Sequence, residues 1–431
     1  MHTFLNKTNK TLHNRNVSYF RAAKMNKLSM QLSNEQLSAI ANEYGTPVYI
    51  YHAEKIKEQY NKLKKAFAKT DTRFFYACKA LTNINILKLM KGIGTDLDCV
   101  SINEVKLGLA AGFEPHQIMF TPNSVDFTEV ESGKELGVNI NIDNISFLER
   151  FGNKYGNSYP ISIRLNPHIM AGGNYKISTG HVDSKFGISI HQMRHIERVV
   201  KTTKLHVRGL HIHTGSEIKD INLFLNALDV MLDLARHFPK IEFLDLGSGF
   251  KVPYEETDIE TDVDLLGQKV GEAFETFEKE IGKKLQIWFE PGKYLVSESG
   301  YFVVKANVIK QTTATVFVGV DSGFNHLIRP MFYEAYHRVE NISNPKGSER
   351  IYTVVGNICE TDTFAWDRKI AETHEGDLLC FYNAGAYGFE MSSNFNSRLK
   401  PAEVLVINDE THLIRRRDTF EDLLRNQIEV L

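Results

Sequence analysis

Short apolar runs alternate along this chain with longer segments in which apolar residues recur every three or four positions. Eight of the runs read as strands: 73–79, 95–100, 117–121, 138–143, 161–166, 206–213, 241–246 and 285–290. Between them, spacings such as Ile84, Leu87 and Met90, or Val105, Leu107 and Leu109 with Ala110 and Ala111, predict helices. The early strands recur about every 22 residues, the length of one strand, one helix and two loops in a parallel unit. Eight such units in series predict a closed (β/α)8 TIM barrel rather than an open doubly wound sheet. A dinucleotide-binding crevice would call for GxGxxG after an early strand, and none stands there.

After about residue 300 the pattern changes. Alternating runs at 301–308, 315–321, 351–355 and 378–382, separated by turn residues, predict an antiparallel β domain, with 46–51 contributing one of its strands from before the barrel. The expected organisation is a tail at 1–34, a segment at 35–52 joining the β domain, a barrel at 53–299 and a C-terminal β domain at 300–431. The tail stands apart. Lys7, Lys10, Arg15, Arg21, Lys24 and Lys27 all precede the first acidic residue, Glu35, a composition that predicts a disordered, solvated segment. It is read as an upstream start, with Met25 or Met30 the true beginning, in preference to an organelle transit peptide.

Composition narrows the function without naming it. Lys+Arg 51 against Asp+Glu 53 gives a net charge of -2, which suggests neither a nucleic-acid groove nor an anionic-membrane surface, and no apolar run approaches a membrane span. The cysteines, at 78, 99, 359 and 380, form no CxxC, and their wide spacing suits free thiols in a reducing, cytoplasmic compartment.

A barrel puts its chemistry at the C-terminal ends of its strands. Reading those ends in order gives Lys79; Asp98 and Ser101 with Glu104; Asn123; Asp143; Arg164 and Asn166; His211 and His213; Gly247-Ser248-Gly249; and Glu290. Any one could be a satisfied structural group, but their shared position is harder to dismiss. Lys79 closes a strand with five apolar or aromatic residues in seven, and desolvation there would lower its pKa and free the neutral amine that Schiff-base chemistry needs. Metal binding by the His211/His213 pair is the competing reading, and no third ligand is obvious.

Several motifs carry a resemblance. They are Tyr76-Ala77-Cys78-Lys79-Ala80, Ser184-Lys185-Phe186-Gly187-Ile188, His211-Ile212-His213-Thr214-Gly215-Ser216, Asp245-Leu246-Gly247-Ser248-Gly249-Phe250 and Glu290-Pro291-Gly292. Beyond the barrel come Arg329-Pro330-Met331-Phe332-Tyr333, Cys359-Glu360-Thr361-Asp362 and Gly385-Ala386-Tyr387. In this order they resemble the fold-type III pyridoxal-phosphate decarboxylases, over roughly residues 46–427, and most of all the branch acting on meso-diaminopimelate. The resemblance implies the alanine racemase-like combination of barrel and β domain, with pyridoxal 5'-phosphate as cofactor. It implies that Lys79 holds the cofactor covalently, Glu290 partners the ring nitrogen and His213 stacks on the ring. Ser216, Gly247, Gly249, Gly292, Lys293 and Tyr387 would complete the cofactor site, the turn glycines letting backbone N–H groups approach a phosphate, with a following helix end adding its dipole. Arg329, Tyr333, Glu360, Lys293 and Tyr387 would read the substrate, and Cys359 would donate a proton across a homodimer interface.

The implied reaction is decarboxylation of meso-2,6-diaminopimelate to L-lysine and carbon dioxide. Two positions depart from the family pattern: Ser248 in a turn that usually has three glycines, and Lys293 where arginine usually follows Glu-Pro-Gly. Decarboxylases of carboxynorspermidine, ornithine or arginine share the ring-side residues, and a catalytically silent regulatory homologue is the rival from another class. Alanine racemase is opposed by Glu290, since that family pairs the ring nitrogen with arginine.

Overall fold

The computed structural model describes residues 31–169, 184–213, 215, 220–255 and 257–431. The basic residues of the N-terminal tail, and Thr214 and Ser216 of the HxHTGS motif, lie outside the described residues.

Among the described residues, eighteen strands form two sheets. The chain opens with the helix Asn34–Tyr44, started by Ser33 and Gln36 in a reciprocal capping box, and β1 (Val48–His52). There follow β2 (Thr72–Ala77), β3 (Asp96–Cys99), β4 (Ile118–Phe120), β5 (Asn139–Ile142), β6 (Ile161–Asn166), the two-residue β7 (Ile188–Ser189), β8 (Val207–Ile212), β9 (Phe243–Asp245) and β10 (Gln286–Phe289). All the pairings here are parallel, in the ring β2-β3-β4-β5-β6-β8-β9-β10, with β10 paired back to β2 and β7 attached beside β6. The eight expected strands are these eight, each found within a few residues of its expected bounds. Helices between them start at Asn83, Ser101, Asp126, Asn144, Asp220 and Asp262, whose side chains accept from N–H groups of the first turn. Two apolar assignments fail: Leu107 is 39% exposed and Ala110 is exposed too, because the helix Ile102–Ala110 turns Val105 and Gly108 to the barrel instead.

The barrel is filled rather than hollow. Phe75, Met119, Phe243 and Trp288 form a separate buried cluster inside it, with Phe243 and Trp288 stacked at 3.5 Å. Gly209 makes room for that stack, since a Cβ there would lie 2.1 Å from Phe243 Cζ.

The second sheet holds β11 (Gly300–Gln311), β12 (Val316–Val320), β13 (Val339–Asn341), β14 (Glu349–Val355), β15 (Thr363–Ala371), β16 (Leu378–Phe381), β17 (Ala402–Ile407) and β18 (Glu410–Arg415). Its order is β15-β14-β12-β11-β1-β17-β18, with β16 joining β11 to β13. It is mostly antiparallel, but β1 with β17 and β12 with β14 run parallel, a mixture that strand alternation cannot reveal. The long β11 pairs with β1, β12 and β16. The two units are stitched where β2 ends: Thr82 N–H donates to Glu390 (2.8 Å), Asn83 Nδ2 to Glu403 (3.1 Å), and Tyr387 N–H to Ala80 O (2.8 Å). Among the described residues no helix is long and apolar enough to cross a membrane.

Because Phe243 is pinned against Trp288, it cannot yield to a new side chain. Gly209→Val, favourable for strand propensity, is therefore expected to destabilise the fold by about 1–3 kcal/mol. Urea denaturation checks this, and an unchanged or higher midpoint would contradict the packing account.

Candidate active site

The strand ends converge on a cavity of about 560 Å³ between the barrel and the second sheet. Lys79, His213, Gly249, Glu290, Gly292, Lys293, Arg329, Tyr333 and Tyr387 line it, nine positions expected from sequence and separated by up to some three hundred residues along the chain. Gly247 sits just behind this lining. Cys359 and Glu360 do not line the cavity: both are exposed in the loop between β14 and β15.

Lys79 is not in the strand itself. It lies in the single 3-10 turn Cys78–Ala80 that follows β2, and its side chain is 43% accessible. Its amine is 3.6 Å from Asp98 Oδ2. The expectation of a lowered lysine pKa is overturned. Burial does push it down, but Asp98, Tyr387 and Glu290 together outweigh burial and hold it above the ordinary lysine value. As the chain stands, the ammonium is the favoured form.

Below Lys79 lies a buried polar floor. His211 Nε2 donates to Glu290 Oε2 at 3.1 Å, so Glu290 is anchored by a histidine rather than capping a helix. Burial opposes its charge, but His211 and Lys79 prevail and keep the carboxyl below its usual range. Asp245 behaves oppositely: burial and the Glu290 charge push it well up. Arg164 is 8% exposed and stacks 4.7 Å over Phe186. His211, Asp245 and Glu290 bring ligand-type atoms within 4.8 Å of one another, a grouping invisible in the sequence. Lys79 and Arg164 already supply positive charge beside it.

His213 is held neutral. Burial, Arg164 and Lys79 drive it down to about 3. Ser248 N–H donates to its Nδ1 (3.3 Å), which leaves the proton on Nε2. The Gly247-Ser248-Gly249 turn has positive φ at both glycines (61° and 127°) and not at Ser248, so the serine needs no unusual backbone. Gly247 N–H goes to Asp245 Oδ1 (2.9 Å). A Cβ on Gly247 would meet His213 Nδ1 at 2.6 Å and Ile212 O at 2.7 Å. The expected helix end does not follow this turn, because the next helix is Val263–Ile281.

Some strand-end residues prove structural. Ser101 accepts from Glu104 N–H, and Glu104 from Val100 N–H, so this pair starts a helix. Others were missed as site residues. Asp98 and Arg164 stood among the strand ends without a role, while Tyr254, Lys251, Glu255, Asp258, Glu334 and Tyr336 line the cavity from irregular segments that carry no periodic signal. Tyr254 is central among them: Arg329 and Lys293 stand over its ring at 5.6 and 5.9 Å, and its hydroxyl meets Ser297 Oγ at 2.6 Å.

The sequence matches the family described as "Pyridoxal-dependent decarboxylase, pyridoxal binding domain" over residues 53–297. It is 38% identical to a diaminopimelate decarboxylase of Methanothermobacter thermautotrophicus, over 90% of this chain and 93% of the relative. The chain belongs to the pyridoxal-dependent diaminopimelate decarboxylase family. A Campylobacter jejuni member is 36% identical over 89% of this chain and 96% of its own. The solved Helicobacter pylori diaminopimelate decarboxylase, complexed with L-lysine, superposes with a TM-score of 0.83 at 31% identity, over 90% and 98% of the two chains. Membership makes the chain a pyridoxal-phosphate-dependent carboxy-lyase.

The residues fit that cofactor. Glu290 Oε1 is buried with no hydrogen-bond donor, the state expected of a carboxylate waiting for a ring N–H. Neutral His213 offers a flat face, and Lys79 supplies the amine. Gly247→Ala is expected to displace His213 and weaken pyridoxal phosphate binding roughly tenfold while leaving the far-ultraviolet dichroism unchanged. Titration of cofactor absorbance checks it, and wild-type affinity would show that the Gly247–His213 contact does not shape the site.

Proposed function

We propose that this enzyme decarboxylates meso-2,6-diaminopimelate to L-lysine and carbon dioxide as a homodimer with shared active sites. The observation that carries the substrate is Arg329: a cation 7% exposed, lining the same cavity as Lys79 and set beside Lys293 around one tyrosine ring. A substrate keeping a second carboxylate far from the reacting carbon gives that cation its partner. A distal amine would be repelled.

When bound, pyridoxal phosphate supplies the electron sink for the carbon–carboxylate bond that breaks. Lys79 would hold it covalently, Glu290 would face the ring nitrogen, His213 the ring, and Gly249, Gly292, Lys293 and Tyr387 the remaining edge. Ser216 is proposed with them from sequence. His211 keeps Glu290 ionised, so that a proton at the ring nitrogen is stabilised by contact with an opposite charge. Asp98 keeps the Lys79 amine close to the floor. Tyr387 reaches the cavity on a backbone of φ 58°, held by its N–H to Ala80 O.

Protonation of the reacting carbon is proposed for Cys359 of the partner subunit, with Glu360 of the partner subunit contacting substrate. The loop bearing both is built to hold a shape. Asp362 accepts from Phe324 N–H (2.6 Å) and Ile358 N–H (3.0 Å), and Asn396 Nδ2 donates to Cys359 Sγ (3.6 Å). An exposed thiol on a braced loop away from its own cavity is what cross-subunit donation requires.

The substrate reading is tested with Arg329→Gln. It is expected to raise KM for meso-diaminopimelate by about tenfold or more, with no change in inhibition by cadaverine, which lacks carboxylates. Equal changes in both constants would defeat the distal-carboxylate role. Site sharing is tested by mixing. Lys79→Ala and Cys359→Ala proteins should each be nearly inactive, and after subunit exchange the mixture should recover about a quarter of wild-type activity, since only mixed dimers hold an intact site. No recovery, with exchange verified by mass, would place both residues in one subunit's site.

A further inference from the structure

Arg329 is aimed by a neighbour that does not itself line the cavity. Its Nε–H donates to His337 Nε2 at 3.4 Å, and His337 Nδ1–H donates to the carbonyl of Tyr382 at 2.9 Å. His337 is 1% exposed and packs edge-on against Tyr254 at 5.6 Å. These partners permit one tautomer. A carbonyl on one side demands a proton at Nδ1, and a guanidinium N–H on the other demands a lone pair at Nε2. A protonated ring would set N–H against N–H between two buried cations. Burial and the Arg329 charge accordingly drive His337 down to about 3, far from any working pH.

The consequence lies in what is left of the guanidinium. With Nε turned to His337, the opposite edge, Nη1 and Nη2, is presented as two parallel donors, the geometry that matches a carboxylate. The anchor of this arrangement is the end of β16, since Tyr382 follows Phe381 directly. We propose that His337 is a positioning residue for substrate specificity, fixing the rotation of Arg329 so that its two-nitrogen edge faces the distal carboxylate. This rests on the reading of Arg329 given above, and adds that the cation's orientation, and not its charge alone, sets the affinity.

Two polar substitutions in the holoenzyme separate the two bonds. His337→Asn keeps an N–H near the Nδ1 position for Tyr382 but has no acceptor that reaches Arg329. His337→Gln places an amide oxygen near the Nε2 position and can accept from Arg329. His337→Asn is expected to raise KM for meso-diaminopimelate and the inhibition constant of L-lysine about tenfold, with kcat within about threefold, and with cofactor absorbance and cadaverine inhibition unchanged. His337→Gln is expected to restore KM to within about threefold of wild type. Equal impairment in both variants, an unchanged KM in His337→Asn, or a parallel loss of cadaverine binding would each overturn the proposal. Arg329→Gln keeps the two readings apart. If it leaves KM unchanged, the role of Arg329 itself fails. If it raises KM while His337→Asn does not, only the positioning role of His337 falls.

Discussion

The constraint on which this structure turns is the burial of negative charge at the mouth of the barrel. Asp98, Asp245 and Glu290 are all at most 9% exposed, on strands or strand ends that meet over the Phe243–Trp288 plug. Isolated buried carboxylates are costly, so each must be neutralised or paired. They divide: Asp245 is pushed well up by burial and the Glu290 charge, Asp98 is pushed up to about 8 by the same two causes although the Lys79 ammonium faces it, and Glu290 is held ionised by His211 and Lys79. A site whose resting charge is balanced through a lysine amine is altered electrostatically when that amine becomes part of a covalent link. The orphaned oxygens of Asp98, Asp245 and Glu290 mark where the balance is left open.

Position matters as much as charge, and it is set by the junction between barrel and sheet. Lys79 stands on a three-residue turn, too short to fix an orientation alone. The residues just after it are tied to the second sheet through Tyr387, Glu390 and Glu403. Glu403 is fully buried and is shared by Tyr51, Asn83 and Arg415, so one carboxylate links β1, β17 and β18 to the loop after β2. The same sheet delivers Arg329 and Tyr387. The distance between the lysine and the distal cation is thus a property of the interface between the two units, and neither unit could set it alone.

The barrel was legible because its strands are short apolar runs and its helices carry apolar residues at three- and four-residue spacing. The order of family motifs likewise placed Lys79, His213, Glu290 and Arg329, which the fold brings to one cavity. What could not be read depended on contacts between distant segments. The amine of Lys79 is held above the ordinary lysine value because Asp98, some twenty residues away on the next strand, acts together with Tyr387 and Glu290. β13, β15, β17 and β18 escaped: β13 has three residues, β15 carries Asp367-Arg368-Lys369 near its centre and β18, Glu410–Arg415, has no buried residue, whereas β17, Ala402–Ile407, is mostly apolar and almost wholly buried and was simply not read. Tyr254 and His337 lie in irregular backbone, where no period distinguishes a site residue from a turn residue.

Lys293 illustrates how a departure from the family pattern can be absorbed. Lysine offers a point charge where arginine offers a planar fork, so a site with Lys293 gains attraction at that corner with little orientation. Orientation must then come from the other cation, and Arg329 has the means for it. Its Nε is bound to a neutral imidazole that is itself fixed to the carbonyl of Tyr382, just past the end of β16, and its guanidinium stands over the Tyr254 ring that Lys293 also faces. The lack of a planar fork at Lys293 is offset because Arg329 is constrained from two directions. In the proposed reading, a carboxylate entering between them would be drawn by both charges and given its angle by Arg329.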